Sequence, residues 1–143
     1  MYIKRLPLGD VEANCYVICD EETKVGAVLD VGGFSDVLLN EIKEAGIEEL
    51  KYILCTHGHF DHIAGVKKFK ELYPEAKIVI GERDAILTED SQKNVADYFG
   101  ASFESFKPDI LVKENDQLEI GNKKLRVLET PGHSLGGVCY ICD

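Results

Sequence analysis

Thr56-His57-Gly58-His59-Phe60-Asp61-His62-Ile63-Ala64-Gly65 holds three of the four histidines in a chain of 143 residues. In an extended segment residues i and i+2 point to the same side. His57 and His59 therefore offer two imidazoles to one ion, and Gly58 keeps the space between them open. Asp61 and His62 follow at once with different side-chain directions. Histidines and a carboxylate packed this closely make up the nitrogen and oxygen donor set usual for zinc. Structural zinc sites tend to be closed and rich in cysteine, whereas histidines with a carboxylate and an open position are the catalytic pattern. The composition of the stretch therefore favours chemistry over a purely structural ion or a chance grouping of surface histidines.

The residues upstream read as a platform. Tyr2–Leu6, Asn14–Cys19 and Val25–Asp30 carry strand signals, with a polar turn at Asp20–Lys24, so the chain begins as a meander. Val31-Gly32-Gly33 breaks that pattern. Ser35 is then the N-cap of a helix whose apolar face is Val37, Leu38, Ile42 and Ala45, closed by Gly46. Leu50–Cys55 is a mostly apolar run of strand length, which puts Thr56–Gly65 at the carboxyl end of a strand, where α/β sheets favour ligand sites. Asp30 stands where an earlier strand gives way to a loop, a position at which Asp commonly initiates a turn.

Downstream, a helix is expected over Gly65–Tyr73, stopped by Pro74, with Lys67, Lys68 and Lys70 as its solvated face. Lys77–Ile80 reads as a strand, Glu82–Leu87 and Ser91–Phe99 as short helices. Phe103 and Phe106 lie in the loop Gly100–Pro108 and read as core packing. Asp109–Val112, Gln117–Ile120 and Lys123–Glu129 read as strands, the last two joined by Gly121-Asn122. The final one leads into Thr130-Pro131-Gly132-His133, where Pro131 and Gly132 force a sharp turn that aims the remaining histidine, His133, at an ion held by His57 and His59. Mixed α and β is as far as this pattern alone reaches.

The length suits a single domain over residues 1–143. With 16 Lys+Arg against 26 Asp+Glu the formal net charge is -10, which repels a phosphate backbone, so nucleic acid is not an expected partner. The start of the chain lacks the long apolar region of a signal peptide, and no run approaches the roughly 20 apolar residues of a membrane span. A cytoplasmic protein acting on a small molecule, with no membrane contact, is the expectation. The five cysteines, Cys15, Cys19, Cys55, Cys139 and Cys142, form an odd set in strand-like stretches and agree with a reducing compartment. All five read as buried small hydrophobes. Cys139 and Cys142 form a C-x-x-C, but inside a strand-like segment and not at a helix start where redox pairs are activated.

The H-x-H-x-D-H of His57–His62, preceded by Thr56 and followed by Gly65, resembles the signature of the metallo-β-lactamase superfamily. Thr130-Pro131-Gly132-His133-Ser134-Leu135-Gly136-Gly137 is similar to a segment of its glyoxalase II-like branch, that of the hydroxyacylglutathione hydrolases. The resemblance implies an αβ/βα sandwich with helices outside. It also implies His57, His59 and His133 as ligands of zinc, in one or two ions, with iron or manganese as alternatives. Asp61 would orient a water or bind a second ion, and His62 would bind that second ion. Asp30 would lie near the metals as a support, although the family usually has Pro-Gly after it where this chain has Val31-Gly32. Zinc held by three imidazoles keeps a position for water and lowers that water's pKa from about 15.7 toward about 7. Hydrolysis of a thioester is the expected activity. The alternatives are another ester, lactone or lactam, an iron-dependent oxidoreductase on the same fold, and a non-catalytic metal-binding domain. In the resembled fold a second half supplies a bridging aspartate, a last histidine and the substrate-binding residues, so this chain corresponds to the N-terminal part and Asp143 is not nominated as a ligand. Two expectations follow. The second ion should be weakly held, and the apolar terminal strand Val138–Cys142 should be an exposed edge that favours a homo-oligomer.

Overall fold

A meander of three strands opens the structure, a computed structural model that describes residues 1–142: β1 (Tyr2–Leu8), β2 (Ala13–Asp20) and β3 (Val25–Leu29), paired antiparallel. Helix α1 (Asp36–Glu44) then carries the chain back so that β4 (Glu49–Leu54) lies parallel to β3. A short helix α2 (Phe60–Ile63) and helix α3 (Val66–Leu72) lead to β5 (Lys77–Gly81), and a 3-10 segment (Glu82–Thr88) precedes β6 (Ile110–Val112). Both new strands are parallel to their neighbours, giving a six-stranded sheet in the order β1-β2-β3-β4-β5-β6. A second, antiparallel sheet follows from β7 (Gln117–Ile120), β8 (Lys123–Glu129) and β9 (Val138–Cys142). This is the expected mixed α/β sandwich.

Alternation along the strands sorts the core into two layers. In β4, Ile53 faces the helices while Tyr52 and Leu54 face the second sheet, because successive side chains of a strand point to opposite faces. The helix layer packs Leu38, Ile42, Ile63, Val66 and Phe69 on Val17, Val28 and Ile53. The layer between the sheets packs Ile18, Leu54 and Val79 on Ile120, Leu125 and Val127. Ser35 caps α1 by accepting a hydrogen bond from the Val37 amide, as its sequence position suggests. Val37 itself, expected on the buried face, is 56 % exposed.

Other expectations need correction. Ser91–Phe99 is a series of turns and not a helix. Val95 has φ +65°, outside the right-handed helical region, and buried Asn94 spends its side chain on the Leu87 carbonyl and its own carbonyl on the Phe60 amide. Lys70 does not belong to a purely solvated face: its ammonium donates to the carbonyls of Pro74 and Ala76 and lies 3.4 Å from Asp109. Cys15, Cys19 and Cys55 are buried as expected, but Cys139 and Cys142, on the edge strand β9, are exposed. Phe106 is buried and Phe103 packs against the same core, in line with the reading of both as packing residues. Among the described residues no helix is long and apolar enough to cross a membrane.

The parallel strands decide where chemistry gathers. The carboxyl ends of β3, β4 and β5 emerge on one edge of the large sheet, and the loops that leave them carry Asp30, Thr56–His62 and Asp84 respectively. The loop from β8 to β9 brings His133 to the same place through a hydrogen bond from the Val138 amide to the Thr56 carbonyl (2.8 Å).

Candidate metal centre

Chain direction accounts for the first part of the site. After β4 the chain bends at Thr56 and runs on irregularly to His59, which is extended at φ -69° and ψ 145° and stands as the cap residue of α2. His57 and His59 thus come from the segment before the helix, whereas Asp61 and His62 lie on the helix itself and take their different direction from it. Close packing holds this loop down: a Cβ placed on Gly32 would lie 1.9 Å from the carbonyl oxygen of Asp61, so no larger residue fits there. Gly132 has φ +150°, which allows the turn that presents His133.

Four imidazoles converge. One nitrogen from each of His57, His59 and His133 falls within 4.8 Å of the others, and the same holds for ligand atoms of His57, Asp61 and His62. His59 Nδ1 lies 3.0 Å from His133 Nε2. Donors in a zinc tetrahedron, each at about 2.0–2.1 Å from the ion, are roughly 3.3 Å apart, so the spacing suits a shared cation. His57 Nε2 is buried without a hydrogen-bond partner. A buried nitrogen left so costs stability unless something else meets its lone pair.

The residues behind the imidazoles set their tautomers. Asp30 Oδ1 accepts the Thr56 amide at 2.8 Å and Oδ2 accepts the Thr56 hydroxyl at 2.6 Å. With its proton spent on Asp30, the Thr56 hydroxyl can only accept from His57 Nδ1, 3.1 Å away, which leaves the lone pair of His57 on Nε2. Asp30 Oδ2 also lies 2.9 Å from His62 Nδ1, so the second nitrogen of His62 turns to Asp61, 3.5 Å distant. Asp30 holds φ +56°, a strained conformation for a residue with a side chain, of the kind found at functional sites.

Burial and mutual repulsion shape the charges. Burial, then the neighbouring His62, pushes the His57 pKa down to about 4, with Asp30 acting the other way. Burial and His133 also lower His59. Burial opposes the charge of His62, but the hydrogen bond and charge of Asp30, helped by Asp61, outweigh it and raise its pKa. His57 and His59 are therefore held toward the neutral imidazole that metal binding requires, whereas Asp30 and Asp61 favour charge on His62.

All five residues expected at the site, His57, His59, Asp61, His62 and His133, meet in space. Asp84 was not foreseen. It is 1 % exposed, and it accepts the Gly58 amide at 2.9 Å, the Ser134 hydroxyl at 2.7 Å and the Gly136 amide at 2.7 Å. The two histidine-bearing loops are thus fastened to one buried carboxylate. Its only sequence signal is an Asp three residues past the glycine that ends an apolar strand.

The profile of the Metallo-beta-lactamase superfamily matches residues 8–143. The chain belongs to this superfamily. Among its relatives is the hydroxyacylglutathione hydrolase GloC of Haemophilus influenzae, 29% identical over 142 residues that cover 99% of this chain and 66% of that protein. The crystal structure of the B3 metallo-beta-lactamase BLEG-1 superposes with a TM-score of 0.87 at 31% identity, covering 99% of this chain and 67% of that one. TTHA1623 in a di-iron-bound form gives a TM-score of 0.78 at 26% identity, covering 96% and 66%. The chain spans under two thirds of the length of curated relatives that it matches, 64% of a protein of Aquifex aeolicus and 66% of GloC. Superfamily members of this fold bind divalent metals, and the histidine cluster here is a candidate site for one.

Proposed function

We propose that the chain carries the metal centre of a hydrolase that cleaves a thioester such as a hydroxyacylglutathione. The single observation that carries the reading is the buried, unpartnered Nε2 of His57 facing the same small space as His59 Nδ1 and His133 Nε2. These three residues would hold the first divalent ion, zinc in the preferred reading. Asp61 and His62 would hold a second, more weakly, because His57 has only one nitrogen to give once Thr56 has taken Nδ1. An ion bound there supplies a positive charge that polarises a carbonyl and makes a water acidic near neutral pH. Asp61, half-buried on the first turn of α2, would orient the attacking water by accepting a hydrogen bond from it. Asp30 and Thr56 hold the tautomers of His57 and His62, so that ligand geometry is fixed before substrate arrives. A thiolate leaves without strong acid help.

The relationship to GloC and other hydroxyacylglutathione hydrolases supports a thioester, and the likeness to BLEG-1 keeps a lactam as the second reading. Iron is the second reading for the metal, favoured by the di-iron form of TTHA1623. The experiment is a panel of thioester, lactone, β-lactam and phosphodiester substrates offered to zinc- and iron-loaded protein. Turnover led by the thioester is expected, and turnover of the phosphodiester alone would overturn the ranking.

A further inference from the structure

Beside the histidine cluster lies a cavity of about 380 Å³, bordered by His59 and Asp84 on the inside and by Arg83, Ile86, Leu87, Lys93 and Leu135 on the outside. Two cations, Arg83 and Lys93, line it in a chain of net charge -10. Among the described residues neither makes an ion pair, although Glu82, Glu89 and Asp90 are close in sequence. The one carboxylate that lines the cavity, Asp84, accepts from the Gly58 and Gly136 amides and the Ser134 hydroxyl, and among the described residues it forms no ion pair with either cation. Three apolar side chains and Ser134 make up the rest of the lining, and Ile86 and Leu135 are 48 % and 76 % exposed despite their size. The other cavities that reach the cluster differ in kind. The one on the Asp61 side is lined by Asp10 and Asp61, and the one on the His57 and His133 side has neither Lys nor Arg on its walls.

We propose that Arg83 and Lys93 form an anion subsite of the centre, selecting substrates that carry a carboxylate a short aliphatic span away from the reacting carbonyl. The carbonyl sits at the histidines, the aliphatic span lies against Ile86, Leu87 and Leu135, and the carboxylate reaches the two cations. A ligand site of this composition, an apolar wall with a few converging charges, is the usual form of a small-molecule pocket. The inference rests on the reading of the histidines as a metal centre and adds the substrate class to it.

A pair of thiols of equal length tests the subsite without turnover, since a thiolate binds the ion directly. Calorimetry on zinc-loaded protein compares 4-sulfanylbutanoate with butane-1-thiol, in the wild type and in the double variant Arg83→Gln, Lys93→Gln, whose positions are exposed and outside the core. The carboxylate form is expected to bind the wild type about tenfold more tightly, with an advantage that shrinks as salt is raised. In the double variant the two thiols should bind alike, with the neutral thiol unchanged from wild type. Equal binding of the two thiols to the wild type, or a preference that survives in the double variant, would overturn the subsite and leave the metal reading standing. Binding of neither thiol would overturn both.

Discussion

The Ser134 hydroxyl donates to Asp84 at 2.7 Å across fifty positions of the chain, and the same oxygen of Asp84 accepts the Gly58 amide. His59 and His133 therefore stand on loops tied to a single carboxylate. Replacing Asp84 with Ala leaves buried amides of Gly58 and Gly136 without an acceptor, at a cost of about 1–3 kcal/mol for each. Chemical denaturation should show the loss, and zinc affinity should fall with it. Asp84→Asn keeps acceptor oxygen on one side and should recover part of both. A Asp84→Ala variant as stable and as tight for zinc as the wild type would rule out the tie.

Acid should weaken the metal-free fold. The unfolded chain protonates His57 near pH 6.5 and the folded one only near about 4, because burial and His62 disfavour the charge. Between those values the unfolded state binds more protons, so stability falls as pH falls through the window. His59, lowered by burial and His133, acts in the same sense. His62 acts in the opposite one: its pKa is raised by Asp30 against burial, so its contribution is present at low pH and lost as pH rises through the folded value. Urea midpoints of the metal-free protein should drop from pH 6.5 toward 4, with a shallower slope in His57→Gln. A flat or rising profile would contradict the argument.

Two ions should bind with unequal strength. His57, His59 and His133 would share the first, leaving Asp61 and His62 for the second. A zinc titration should resolve a tight and a weak step. His59→Ala should remove the tight step, and Asp61→Asn the weak one, while also lowering kcat more than it raises KM if the residue orients the attacking water. Two equally tight steps would show that other groups complete the second site.

The outer edge of β9 pairs with no strand among the described residues, and an apolar cleft lined by Met1, Ile3, Tyr16, Leu29 and Tyr140 opens beside it. Unpaired edges next to apolar surface recruit other chains. Sedimentation of this chain should therefore show self-association that an Ile3→Lys change, at a cleft position 62 % exposed, reduces. A monomer at all concentrations would count against it.

How much of this was readable in sequence depends on the range of the interactions. The clustering of the histidines was readable because β4 delivers His57 through His62 within one short stretch, and Pro131-Gly132 announces the turn before His133. The helix α1 was readable from Ser35 and its spacing, although Val37 turned outward. Asp84 was not, since its partners lie 26 and 52 residues away and nothing local distinguishes a buried acceptor from a surface Asp. Asp30 looked as much like a turn residue as a support. Its role rests on Thr56 and His62, which only the parallel pairing of β3 with β4 brings beside it. The segment Ser91–Phe99 misled because helical composition there is overridden by what Asn94 bonds to.

The most direct test of the central claim is the metal content of the purified chain after reconstitution with zinc and removal of the excess, measured by elemental analysis beside His57→Ala and His133→Ala. About one ion should be retained by the wild type and lost from each variant. Wild-type protein without metal, or a variant that keeps the ion undiminished, would contradict it.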